Sequence, residues 1–540
     1  GYTSTFQGNY TESAGERKNN AIYLAGNAVM NMKMENGGKF LMSDGIDGTD
    51  YKLSITGDDI TKTRFYLYNT INSGDITLSN TTIDMLNSRI AVNTVNSLTV
   101  GSDTNFAADV DLANKTMDRF TAPSYGTHSG SLIVSAVNLL SDGKENVTAV
   151  LFADEGLKEN AATTVKTAYT PIYRYDVSYD NRDDAGYMLF TRGGGGSNNP
   201  DTFNPAVLSA PVATLAAGQA TINETFKYVF EHADAFTQLP YSERLSMIKN
   251  NQYAISTEYN QNLGGLAPEF QNNGAWVRPY VTFESLNLKN GPDVDAITYG
   301  TLAGFDSDFQ DLKNGWTGVT TGYVGYNGSQ LNYSGNDTSM NGGLLGLTQT
   351  FYKGNFWTAI TASAGATVGE TSNMYGTDNF VSLLAGVGSK TGYNFEFQEG
   401  KFIFQPIMFM NYTFVNTFDY TNSAGVKIDS EPLHTIQLNP SIRFIANLKD
   451  GWQPYASVGM VWNLLNQTDT TANGITLPDM HIKPYVEYGL GVQKRWAERF
   501  TAFFQTMIRN GGRNGVAFTG GFRWSFGKDK AETVESPKIK

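Results

Sequence analysis

The stretch IKPYVEYGLGVQKRW, residues 482–496, alternates without a break. Ile482, Pro484, Val486, Tyr488, Leu490 and Val492 fall on one side, and Lys483, Tyr485, Glu487, Gly489, Gly491 and Gln493 on the other. Successive side chains of a strand point to opposite faces, so one face suits lipid and the other water. GVAFTGGFRWSF, 515–526, repeats the pattern: Val516, Phe518, Gly520, Phe522, Trp524 and Phe526 alternate with Ala517, Thr519, Gly521, Arg523 and Ser525. The aromatic cluster at its end suits a girdle at a membrane interface.

Working outward, residues 274–526 hold about twelve such runs, from GAWVRPYVTFESLNL (274–288) through KFIFQPIMFMNYTFVNTF (401–418) to the closing stretch. An even number of runs, several longer than a usual globular strand, predicts a closed antiparallel transmembrane barrel. A soluble β-sandwich also alternates. Strand length, aromatic content and tight turns opposed to longer loops such as SLNLKNGPDVDAIT (285–298) weigh against it.

The bulk composition agrees. With 540 residues the chain exceeds one domain. Its 56 Gly, 13% aromatic and 17% charged residues favour strands and turns. Mean hydropathy is −0.31, which a barrel allows because half of each strand faces water. There is no cysteine, so disulfides, thiolate metal sites and cysteine nucleophiles are excluded. A net charge of −13 offers no basic stripe, so nucleic acid is not a partner. The chain starts at Gly1 without the charged and apolar regions of a signal peptide, which points to a removed leader or a truncated chain.

Residues 1–190 read differently. Short β-prone runs such as KFLMSDG, YKLSITGDD, DITLSN and SLTVGSD recur between Gly, Asn and Asp. This predicts a β-solenoid, parallel β-helix-like, with a β-sandwich as the alternative. Asp44, Asp47 and Asp50 lack the order of a calcium loop and read as solvated turn acids. Residues 191–211 form a linker rich in Gly, Pro and Asn. Within 212–273 comes the one strongly helical segment, Val212 to Phe236, in which apolar residues recur at three and four. SERLSMIKN follows Pro240 as a second helical piece with Ser242 as N-cap. An ordinary packing helix between two domains is the alternative role for the long segment.

Taken in order, the C-terminal half resembles the autotransporter family, the type V secretion proteins. The likeness runs through a helix, the opening strand GAWVRPY, proline before apolar runs (QPIMFMNYTF, QPYASVGMVW), and KPYVEYGLGVQKRW with RNGGRNGVAFTGGFRWSF. Thr519, Gly521, Trp524 and Phe526 match the polar-x-Gly-x-x-aromatic-x-aromatic pattern that such barrels present to the outer-membrane barrel-assembly machinery. The resemblance implies a bacterial outer-membrane location, a helix threaded through the lumen, and an N-terminal region on the cell surface. A polar lumen tolerates Gln219, Asn223, Glu224 and Lys227 on that helix. Glu487 and Arg509 are candidate lumen charges that contact the helix or each other, with simple exposure to water as the alternative.

Two departures stand out. Residues 527–540, GKDKAETVESPKIK, continue past the closing aromatic and read as a disordered tail. Self-cleaving members are known for an Asn-Asn pair in the lumen helix, whereas here Asn223 precedes Glu224 and the pair Asn198-Asn199 lies in the linker. An exported segment that stays attached is expected.

The four histidines, His128, His232, His434 and His481, make no metal spacing, and the exported part offers no nucleophile elbow or Ser/His/Asp set. No catalytic residue, metal or cofactor is expected. The partners expected are outer-membrane lipid, the assembly machinery, and a host or neighbouring-cell ligand or another copy. The function expected is surface display as an adhesin, stalk or coat. A porin-like channel with an N-terminal cap and a secreted enzyme with an unrecognised site are the alternatives.

Overall fold

The computed structural model describes residues 3–6, 10–13, 16–19, 22–24, 26–195, 198–245, 273–496 and 500–526. Residues 246–272, which hold the end of SERLSMIKN, and the tail at 527–540 lie outside them. The chain divides into two compact units, Gly1–Gly196 with Asp201–Asn204, and Ser197–Pro200 with Pro205–Lys540.

The first unit begins as a parallel solenoid. Val29, Lys52, Asp75, Ser97 and Ser124 stack in one row of one sheet, with Leu53, Ile76 and Leu98 beside them turned into the core. In a second sheet Phe40, Phe65, Ile83, Phe106 and Val134 form the inward row. A third set pairs Val92–Thr94 with Arg119–Thr121 and Ile22–Leu24 with Ile46–Gly48. Alternation within each short strand buries one apolar side chain in two, so each rung fills its core only against its neighbours. The expected solenoid does not run unbroken to 190. Val147–Ala153, Tyr169 and its neighbours, Arg174–Asn181 and Gly186–Arg192 pair antiparallel in a separate four-stranded sheet.

The second unit is a closed antiparallel barrel of twelve long strands: β1 (Gly274–Lys289), β2 (Asp293–Asp306), β3 (Thr317–Tyr333), β4 (Asn336–Lys353), β5 (Phe356–Asn373), β6 (Gly376–Tyr393), β7 (Phe402–Thr417), β8 (Leu433–Ala446), β9 (Trp452–Leu464), β10 (Tyr485–Trp496), β11 (Phe500–Gly511) and β12 (Arg513–Ser525). Each strand pairs with the next, and β1 pairs with β12 to remove the edges. Outward positions such as Leu345, Leu347, Ile360, Val368 and Leu490 are exposed and apolar. At one end Trp496, Phe500 and Trp524 cluster, with Phe305 against Phe526, as an aromatic belt.

Some boundaries differ from the sequence reading. Residues 285–298 are the ends of β1 and β2 joined by a short turn, and the long loops are instead 418–432 and 465–484. At the start of the tenth run the alternation fails: Ile482 is buried and Lys483 exposed, because His481–Ile482 leaves the barrel to pair with Lys289 and Leu288. Ser334 and Gly335 both take positive φ, which lets β3 turn into β4 in two residues.

Candidate functional site

The lumen is filled by a helix. Two prolines, Pro205 and Pro211, fall in its opening turns, where the missing N–H costs little. The helical path runs as α1 (Ser209–Ala213), a π turn over Thr214–Gly218, and α2 (Gln219–Thr237). It therefore starts inside the region assigned to the linker. A further helical turn begins at Tyr241, so Ser242 lies within it rather than capping it.

Contacts fix the direction of the helix. Ser209 meets Tyr333 of β3 at 3.0 Å and Thr214 meets Thr417 of β7 at 2.8 Å, at the barrel end that carries the two long loops. At the other end the Thr237 carbonyl accepts a bond from Asn394 at 2.7 Å.

Between these ends lies a ladder of charges. Glu224 pairs with Arg509 of β11 at 2.5 Å, and Arg509 also reaches Glu284 of β1 at 3.1 Å and Glu487 of β10 at 3.5 Å. Lys227 pairs with Glu487 at 2.7 Å. Glu231 pairs with Arg278 of β1 at 2.7 Å. His232 lies 3.0 Å from Asp306 of β2, which also holds Arg523 of β12 at 2.7 Å. All these side chains are buried except Lys227, which is half-buried. Burying single ions costs several kcal/mol each, so each must find its partner in one register of the helix. A slip by one residue would leave several carboxylates and guanidiniums unpaired together.

The remaining sequence-predicted positions meet the wall through neutral groups. Gln219 bonds Asn463 at 3.1 Å, and the Asn223 amide oxygen accepts from Asn411 at 2.9 Å and Thr413 at 3.1 Å. Of the closing pattern, Thr519 faces the lumen, whereas Trp524 and Phe526 are exposed on the outer face. Glu231, His232, Glu284, Arg278, Asp306, Arg513 and Arg523 were not singled out. Glu231 stands four residues after Lys227 and seven after Glu224, so the helical period alone places it on their stripe.

Packing completes the fit. Tyr228 packs tilted against Tyr280 at 4.6 Å and His232 stacks on Trp276 at 4.2 Å. On the far side Gly386 and Gly388 leave room for Ile222 and Phe226: a Cβ on either would come within 3 Å of those side chains. A void of about 50 Å³ remains among Lys227, Glu231, Lys390, Arg443 and Glu487, room for several waters. Among the described residues no three His, Asp or Glu side chains converge as metal ligands would. The arrangement holds a chain in a pore.

Residues 275–506 match the family model of the autotransporter beta-domain. Among solved structures, the β-domain of the Bordetella autotransporter BrkA is 19% identical and covers 47% of this chain and 100% of its own, at a TM-score of 0.39. The transport unit of AIDA-I from Escherichia coli is 14% identical, covering 51% and 98%, at 0.41. The translocator domain of NalP from Neisseria meningitidis is 12% identical, covering 51% and 96%, at 0.40. No curated protein matches the chain in sequence.

Proposed function

On the premise that residues 275–506 are the β-domain of an outer-membrane autotransporter, we propose that the barrel exports the N-terminal β-solenoid and keeps it, uncut, at the cell surface as an adhesin, stalk or coat. The observation that carries this is the direction of the helix. Outer-membrane barrels turn their long loops to the outside and short turns to the periplasm. The helix enters at the end bearing loops 418–432 and 465–484 and descends toward the end where β1 begins and β12 stops. A chain so oriented leads outward from Ser209 into the solenoid.

Continued attachment rests on the same helix. The bond between Asn223 and Glu224 lies inside α2, with the Asn223 amide held by Asn411 and Thr413 and the Glu224 carboxylate held by Arg509. The display role is favoured over chemistry because the solenoid's carboxylates serve its own loops: Asp109 accepts from the N–H groups of Asn87 and Arg89, and Asp118 from Ala91. The test is a denaturing gel of boiled outer membranes with antibodies to both ends of the chain. One full-length species is expected. Two fragments, with a new N-terminus at Glu224 or in 193–199, would overturn the attached form.

A further inference from the structure

Three strand pairs of the barrel lose their ladder at a proline. Between β1 and β12 the pairing runs from Gly274 with Ser525 to Val277 with Phe522 and resumes at Tyr280 with Thr519, skipping Arg278 and Pro279. Between β8 and β9 it stops at Leu438 with Trp462 and resumes at Ser441 with Gly459, around Pro440. Between β6 and β7 it ends at Gly392 with Ile407 and restarts at Phe395 with Phe404, around Pro406. Proline has no N–H to donate, so each break is a point where neighbouring strands hold one another less.

The residue before each proline faces the lumen, and each one is tied to the helix. Arg278 donates from Nη2 to Glu231 at 2.7 Å. Gln405 donates to the Thr237 carbonyl at 3.2 Å, beside Asn394, which donates to the same oxygen at 2.7 Å. Asn439 donates to Glu487 at 2.9 Å, and Glu487 is held by Lys227 at 2.7 Å. At the first break the link also crosses the seam. Arg278 Nε donates to the Thr519 hydroxyl at 3.1 Å, and that hydroxyl donates to the Pro279 carbonyl at 3.0 Å. Gln505 of β11 holds the second oxygen of Glu231 at 3.1 Å.

We propose that the lumen helix is an internal brace of the barrel wall, and that Glu231 closes the seam between the first and last strands at Pro279. Helix and wall are then one structural unit, and β1 and β12 are fully joined only with the helix in its register. Glu231, Lys227 and the Thr237 carbonyl act as positioning groups for Arg278, Glu487 and Gln405. The inference stands on the barrel alone and is independent of which side of the membrane carries the solenoid.

The test uses the full chain, whose lack of cysteine makes engineered pairs clean reporters. Val277 and Phe522 are directly opposed across the broken seam, and Leu345 and Ala364 across the unbroken β4–β5 pair. Opposed Cα atoms in such ladders lie within disulfide range. E231Q is expected to lower the unfolding midpoint of the barrel, read by heat-dependent gel mobility, by about 5 °C or more. The oxidised pair V277C/F522C in E231Q should restore the midpoint, and L345C/A364C should not. Amide exchange should speed up at 280–283 and 516–519 in E231Q and stay unchanged in β4 and β5. Should E231Q yield no folded barrel, T519V, which removes only the hydroxyl bridge, is read on the same scale. A wild-type midpoint in the variant, or equal rescue by both cross-links, would overturn the proposal.

Discussion

Arg509 of β11 lies 2.5 Å from Glu224 of the lumen helix, and both are buried. Its other amino group serves Glu284 of β1. Removing the guanidinium in R509A strands the buried Glu224 carboxylate and leaves Glu284 to Arg513 alone, so a loss of about 3–5 kcal/mol is expected. Heat-dependent gel mobility measures it. The double variant R509A/E224Q should recover part of the loss, since the stranded charge is gone.

The helix stops the pore. Deleting Gln219–Thr237 should turn a nearly silent barrel into an open channel in planar bilayers. Among the described buried groups the wall then presents Arg278, Lys390, Arg443, Arg509, Arg513 and Arg523 against Glu284, Asp306, Asp378 and Glu487. The reversal potential in a salt gradient should show preference for anions, and conductance unchanged by the deletion would support a porin with a cap.

Room for the helix depends on two glycines. In G388L the new side chain begins 2.9 Å from the Phe226 ring, too close for both to stay. Overpacking of this kind costs about 1–3 kcal/mol. Uptake of a normally excluded dye by cells carrying G388L should rise, while G343A, whose Cβ meets only a carbonyl oxygen at 3.4 Å on the outer face, should leave it unchanged.

The solenoid carries its own pH dependence. Burial pushes the Asp118 carboxyl up to about 7, although the N–H groups of Ala91 and Asp109 partly oppose the shift. Burial also raises Asp84. A carboxyl whose folded pKa exceeds its unfolded value binds more protons when folded, so stability falls as pH rises. For Asp118 the loss begins near the ordinary carboxylate value of about 4 and levels off above about 7. Amide exchange across residues 104–121, corrected for intrinsic rate, should be slower at pH 4.5 than at pH 8. D118N should flatten the difference.

Much of this was legible in the sequence. β10 and β12 could be read residue by residue because one face meets lipid, which leaves alternation unblurred along the whole strand. The helix stripe through Gln219, Asn223, Glu224 and Lys227 follows from the helical period. Their partners do not. Arg278, Glu284, Asp306 and Arg523 are inward charges spread over β1, β2 and β12, and which of them meets the helix is set by the tilt and stagger of the closed barrel. His232 looked isolated because Asp306 is 74 residues away. The alternation misplaces Ile482 because the barrel strand starts only after Pro484, and His481–Ile482 belongs to the preceding loop, paired with the end of β1. In the first unit, turn spacing revealed stacked strands, but nothing in Val147–Ala153 or Gly186–Arg192 marks them as antiparallel, since pairing direction leaves no trace in a short run.

The most direct measurement is protease treatment of intact cells, with mass mapping of what is released and what stays in the outer membrane. The account predicts release of peptides from residues 1–192 while 274–526 stays protected. Protection of the N-terminal unit on intact cells, with cleavage only after the outer membrane is opened, would place it in the periplasm and contradict surface display.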